Sequence, residues 1–462
     1  MDKEKMKKAL LYSSLLVLFA LYIWLRVENS RFIREPRTGF GDTNDYFKIA
    51  SLSIFSSSFW LSVKPPVFPL FLKFLGDNAN TISTFQLWFS IFSWGLLAYV
   101  VASSLKMDIL KPFAFAFLLA FSMSEEIIMW DYLILSDSIA LSILALFCAV
   151  CLWALSKWNV ASASLLIFLA ILLAFVRDTY AYVLLMIAGV LFIVFFFSNF
   201  RKQFLYVGIA FSLIFLTSST LASAGFHWYT PLLNTIGMRV LPNSEYLAYF
   251  ESRGMPVSNL LMERSGKPHH ADDAAIAVDE RLEDFRDWVR ENGEREYKRF
   301  LWFYKADTLQ NVFNDREEIF SPDLYYYNAS RFRPILQNSR LDELLYPNRF
   351  GFFLFIVANL SAALFSVVAY YEKKVIWILP LTLILLSYPQ AVLIWNADPS
   401  DMARHALYHN VMMRLGVWIL ALYVLDFVVG KAGQKIPLTL VSAKSGRRNN
   451  RNNVPGKLNL TN

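Results

Sequence analysis

Cysteine is nearly missing from this 462-residue chain, which has only Cys148 and Cys151. Two thiols, three apart in one apolar run, exclude a disulfide scaffold and a cysteine-based zinc site. They read as small residues in a core or against lipid. Charge is also scarce, at 18% Asp, Glu, Lys and Arg, where a soluble domain carries about a quarter. That shortfall, with 56% hydrophobic residues and a mean hydropathy of +0.40, excludes a disordered or collagen-like chain. No internal repeat of fixed period is visible. The net charge of +7 is too small an excess to indicate a nucleic-acid partner.

The apolar residues fall in blocks of about 17 to 22, each long enough to cross a bilayer as a helix. The first runs from Ala9 to Leu25 behind a basic start. It resembles a signal peptide, but Arg26-Val27-Glu28 follows it instead of a small-residue cleavage site, so it reads as an uncleaved span. Further spans are expected near 84–103, 112–129, 133–155, 160–176, 179–198, 203–222, 350–370, 375–395 and 411–429. That makes ten, and the fold class expected is all-α and polytopic.

Sidedness follows from the basic residues, which collect in short cytoplasmic loops. With the N-terminus inside, the inner segments hold Lys3, Lys5, Lys7 and Lys8, then Lys106 and Lys111, Lys157, Arg201 and Lys202, and Lys373 and Lys374. The basic stretch 431–462 reads as a disordered cytoplasmic tail that skims anionic lipid. Both termini are then cytoplasmic, in a plasma or inner membrane. The larger outward regions are 26–83, 223–349 and 396–410. The organisation expected is an N-terminal membrane module (1–222), a small outer domain (223–349) and C-terminal spans (350–430). In the outer domain Val278, Leu282, Phe285 and Val289 repeat at helical spacing, and Tyr297, Leu301 and Tyr304 mark another amphipathic helix. The domain is too short and polar to be a separate enzyme.

The first outer region opens Gly41-Asp42-Thr43-Asn44-Asp45-Tyr46, which predicts a short helix on the membrane surface. Lys64-Pro65-Pro66 follows, and paired prolines favour an extended lead into a first helical turn. This pattern resembles the first outer loop of GT-C membrane glycosyltransferases, in the protein O-mannosyltransferase-like and lipid A aminoarabinose transferase-like branches. Those enzymes place an acid four residues before a tyrosine, as Asp42 stands before Tyr46, and Lys-Pro-Pro or Arg-Pro-Pro downstream. Leu135-Ser136-Asp137-Ser138 opening a span, and Phe175-Val176-Arg177-Asp178 closing one, resemble the same family. The match covers about residues 1–200.

The resemblance implies a sugar donor carried on polyprenyl phosphate or pyrophosphate, and inverting transfer on the extracytoplasmic face. The acceptor is a hydroxyl of a glycan, lipid or protein. Such a reaction needs a carboxylate to take the acceptor's proton and cations to hold the departing phosphate. Asp42 is the expected base; its plainer role is to start the surface helix. Asp45 is the runner-up, otherwise a solvated carboxylate. Asp137, set between apolar runs, is costly without a partner and is expected to orient an acceptor or a cation. Lys64, Arg177 and Arg404 are the expected donor-phosphate ligands; their plainer roles are interfacial anchors and local ion pairs. Glu125, Glu126 and Asp131 read as solvated loop residues.

No cofactor is required by this chemistry. Some relatives use a divalent metal and others do not. His269-His270-Ala271-Asp272-Asp273, and His405 with His409, are the only candidate ligand groups, and neither matches a strict metal motif. Tyr325-Tyr326-Tyr327 suits sugar stacking or an interfacial belt; Asn328-Ala329-Ser330 is a sequon by pattern. The competing reading is a transporter or lipid-linked-glycan flippase, which calls for ionisable residues near the bilayer midplane. A non-catalytic scaffold for envelope assembly is the third.

Overall fold

The computed structural model describes residues 3–31, 38, 41–196, 201–269, 276–321, 335–336, 339–348, 351–369 and 375–435. The Tyr325–Tyr327 run, the sequon, His270, Asp272, Asp273, Lys373, Lys374 and the basic tail beyond 435 lie outside the described residues. Among the described residues the chain is all helical, with no strand.

The first eleven helices are α1 (Lys3–Arg31), α2 (Gly41–Ser51), α3 (Ser57–Trp60), α4 (Val67–Leu75), α5 (Ala79–Ser104), α6 (Leu110–Phe121), α7 (Glu125–Ile128), α8 (Asp137–Ser156), α9 (Val160–Val176), α10 (Asp178–Phe195) and α11 (Arg201–Ala224). Among the described residues seven helices are long and apolar enough to cross a membrane, or eight if a bent pair forms one span. The ten expected spans fall on these seven helices, the bent pair and two shorter apolar helices. The block at 112–129 bends by 61° between Leu110–Phe121 and Glu125–Tyr132. The helices Val160–Val176 and Gly351–Val367 are shorter, at the low end of the length a span needs. Among the described residues the ten apolar blocks lie mostly on helices, and the chain is an all-α, polytopic membrane protein.

α8 and the terminal helix Met402–Lys435 are the most buried spans; α5 and α9 pack along α8, and α1 and α6 pack along α5. α10 and α11 form a long antiparallel pair. Gly416 allows the terminal helix to approach Ile378–Leu385 closely, because a Cβ there would lie 2.9 Å from the Pro380 carbonyl oxygen. Local signals start several elements. The Asn78 side chain accepts from Thr81 N at 3.1 Å to cap α5, and Asn159 with Ser162 forms a capping box at α9. Pro66 stands immediately before α4, as the proline pair predicts.

The region between α11 and the C-terminal spans has its own small core. Leu232, Leu233, Ile236, Phe250, Leu261, Phe285, Val289 and Phe300 pack together there. Leu282, Phe285 and Val289 are buried as the spacing predicts. Val278 is not: it is exposed, ahead of the helical turns. Asp279 accepts from Arg281 N at 3.1 Å and starts the structure one residue later.

Candidate functional site

The segment between α6 and α8 sets the geometry of the site. Its backbone is irregular and buried, so its carbonyls need donors from elsewhere. Gln86 of α5 supplies them, donating to the carbonyls of Trp130, Asp131 and Leu133 at 3.1, 3.3 and 3.0 Å. Against this segment lies α2. Thr43 Oγ1 donates to the Ile134 carbonyl at 2.9 Å, and the Tyr46 hydroxyl meets Ser136 Oγ at 3.1 Å. The Tyr46 ring packs edge-on against Phe68 of α4, with centroids 4.8 Å apart. One face of the surface helix is thereby pinned, and Asp42 in its first turn is aimed inward.

Five of the six sequence-predicted residues meet in one network. Lys64 Nζ lies 2.5 Å from Asp42 Oδ1, and Arg404 Nη1 lies 2.6 Å from Asp42 Oδ2. Arg404 reaches on to Asp137, with Nη2 2.9 Å and Nε 3.1 Å from Oδ2. Arg177 Nη1 is 2.5 Å from Asp137 Oδ1. The sequence separation of these groups reaches 362 residues, between Asp42 and Arg404. Asp137 opens α8, where the positive helix end also favours its charge. Asp45, the sixth, is half-buried one turn along α2. It lies outside this chain of ion pairs, but its charge supports that of Lys64.

Burial divides the network. The Asp137 side chain is sealed from solvent, whereas the Asp42 and Lys64 side chains are 27% and 26% exposed. Burial would raise the Asp42 carboxyl, but Arg404 and Lys64 outweigh it and hold Asp42 well below the usual carboxylate range. Burial would lower the Lys64 ammonium, but Asp42 outweighs it and Lys64 stays charged. Arg404 Nη1 also lies 3.6 Å from Asp401 Oδ2, so Lys64, Arg177 and Arg404 are matched by three carboxylates and the cluster is charge-balanced.

Tyr408 belongs to the network and was missed in the sequence. Its hydroxyl donates to Asp137, accepts from Arg177 Nη1 at 2.6 Å, and its ring lies 4.7 Å from the Arg177 guanidinium. A signal was present, since Tyr408 follows Arg404 by four residues and shares its helix face.

Asp131 is corrected. It is 1% exposed and forms an ion pair with Arg26, instead of lying in a solvated loop. The tight bend after α6 carries it inward, toward the guanidinium at the end of α1. Glu125 and Glu126 are half-buried.

Asp42 and Asp137 are both engaged by guanidinium or ammonium groups, which repel a second cation. His405 Nε2 lies 3.9 Å from Asp398. His269 Nδ1 lies 2.8 Å from the side-chain Oδ1 of Asn234, and His409 is buried against Phe320. No group of three or more His, Cys, Asp or Glu side chains is placed to hold a metal among the described residues.

No protein-family model matches the chain, and no curated protein matches it in sequence.

Proposed function

We propose that this protein is a membrane glycosyltransferase that moves a sugar from a polyprenyl-phosphate donor to an acceptor hydroxyl at the extracytoplasmic surface. The observation that carries the reading is the convergence of Lys64, Arg177 and Arg404 on Asp42 and Asp137, with Asp42 and Lys64 open to solvent.

The acceptor oxygen attacks the anomeric carbon as the bond from that carbon to the phosphate oxygen breaks. The lipid phosphate leaves with the bonding electrons, and the acceptor's proton passes to Asp42. The phosphate gains a negative charge as it departs. Lys64, Arg404 and Arg177 thus bind the transition state more tightly than the donor, which is the requirement for catalysis. Asp137 is too buried to meet an acceptor. It holds Arg177 and Arg404 in place and keeps those cations from repelling each other.

A carboxylate held by two cations is a weak base. The donor phosphate relieves this by drawing Lys64 and Arg404 toward itself, which returns basicity to Asp42 when a substrate is present. An acceptor hydroxyl that arrives without a donor meets a quenched carboxylate.

The test uses purified protein in lipid nanodiscs with a labelled polyprenyl-phosphate sugar. Asp42→Asn is expected to bind this donor and to abolish transfer. Full transfer by Asp42→Asn rejects the assignment of the base. Movement of labelled lipid across proteoliposomes without any acceptor supports transport instead.

A further inference from the structure

Where α11 ends, the chain turns sharply through Gly225, Phe226 and His227. Phe226 has φ 57°, the one non-glycine residue in the left-handed region among the described residues. Such a conformation is unfavourable for an L-residue and persists where surrounding contacts impose it. Here the contacts are on the page. A Cβ on Gly225 would lie 2.6 Å from the Ser62 carbonyl oxygen, so the turn is pressed against the first outer loop. His227 N donates to the Ala222 carbonyl at 3.0 Å.

The His227 ring completes the turn. Its Nδ1 lies 2.7 Å from Asp178 Oδ2, and its Nε2 lies 2.7 Å from the Ser62 carbonyl oxygen. A carbonyl and an ionised carboxylate only accept hydrogen bonds. Neutral imidazole has one N–H, so one ring nitrogen would face an oxygen lone pair with its own. Only the imidazolium satisfies both contacts.

The two anchor points matter for the site. Ser62 stands two residues before Lys64, and its hydroxyl donates to the Lys64 carbonyl at 3.0 Å. Asp178 is the neighbour of Arg177. We propose that protonated His227 is a positioning residue: it ties the Ser62 carbonyl to Asp178, fixes Lys64 beside Asp42, and releases the loop when the ring loses its proton. The consequence for the donor rests on the reading of Lys64 as a phosphate ligand; the clip itself does not.

The charges around the ring have opposed effects. Asp178 favours the imidazolium and Lys64 opposes it. On the neighbouring helix Glu294 accepts from Ser223 at 3.0 Å and pairs with Lys298 at 2.6 Å. Burial disfavours the charged ring, but the Asp178 contact outweighs burial and His227 keeps its proton above the ordinary imidazole range. The tie is therefore complete at low pH and is lost as pH rises through that raised value.

Hydrogen–deuterium exchange of residues 57–64, corrected for intrinsic rates, tests the tie on the full chain in nanodiscs from about pH 5 to about pH 9. Wild type is expected to lose protection with a one-proton inflection. Asp178→Asn is expected to move that inflection to lower pH by about one unit. His227→Gln is expected to show none. Over the same inflection the KM of wild type for labelled polyprenyl-phosphate sugar should rise about tenfold with little change in kcat. Protection that is flat with pH in wild type, or an inflection unmoved by Asp178→Asn, overturns the proposal. Should His227→Gln fail to fold, Asp178→Asn decides the matter. Absence of sugar transfer with an intact exchange inflection rejects the transferase reading and leaves the clip standing.

Discussion

Two ionic clusters lie where the helices of this membrane protein end, and they differ in what they leave open. In the first, Arg26 pairs with Asp131, and the two side chains are 1% and 2% exposed. Arg26 also donates to Tyr22 Oη and Ser90 Oγ, both at 2.8 Å, and Ser138 donates to Asp131 at 2.7 Å. One positive and one negative charge are sealed among hydroxyls from α1, α5 and α8. In the second, Lys64, Arg177 and Arg404 share Asp42, Asp137 and Asp401, and Asp42 and Lys64 are about a quarter exposed. The first cluster is balanced and closed, so its work is to join helices. The second is balanced too, but it is open to solvent at Lys64 and Asp42, so an anion can compete with Asp42 for Lys64. The residue types are the same; exposure separates a staple from a binding site.

Breaking the closed pair should have the largest effect on the fold. Asp131→Ala strands Arg26 in a dry site, and the loss expected is about 3–5 kcal/mol. Thermal unfolding in detergent, followed by retention of the monodisperse peak, measures it. Asp42→Asn should lower that unfolding temperature by less than Asp131→Ala does, because Asp42 and Lys64 are partly solvated, while lowering kcat by about 10²- to 10⁴-fold, the usual worth of a general base. If the two substitutions destabilise equally, the contrast between staple and site fails.

Lys64→Gln is expected to raise the donor KM about tenfold with a smaller change in kcat, since one of three phosphate ligands is lost. Initial rates against donor concentration separate the two constants. The smallest effect is a shift in the acid limb of the pH–rate profile. Arg404 and Lys64 hold the Asp42 carboxyl below its unfolded value, so the base is ionised at neutral pH. Its contribution to stability is present above the unfolded value and is lost as pH falls through the depressed folded one. Removing Lys64 relieves part of that depression. The acid limb of Lys64→Gln should therefore move to higher pH than that of wild type.

Much of this was legible in the chain because it depends on local chemistry. Among the described residues the apolar blocks are mostly helix, since hydrocarbon leaves a backbone no other short-range way to satisfy itself. Asp137 stood out because a charge between apolar runs is costly without a partner; Asp42, Lys64 and Arg177 stood out through the motifs around them, and Arg404 through its place in the last outer region. Asp131 was misjudged because it falls with Glu125 and Glu126 in the break between two apolar blocks, and nothing nearby in sequence announces its partner, 105 residues away. Tyr408 was passed over as one aromatic among many at helix ends. His227 carries no sequence signal, as its two partners come from α10 and from the first loop.

The sequence by itself determined the all-helical, membrane-embedded class, the places where helices start, and which charged residues sit at their ends. Those properties follow from hydrophobicity, capping and proline chemistry, all of which act over a few residues. Tertiary structure alone decided which acid met which base, which pair was sealed, and how far each apolar block ran before it bent. Pairing across hundreds of residues depends on how helices pack side by side. That is set by the shapes of buried side chains acting together, and no local stretch contains it.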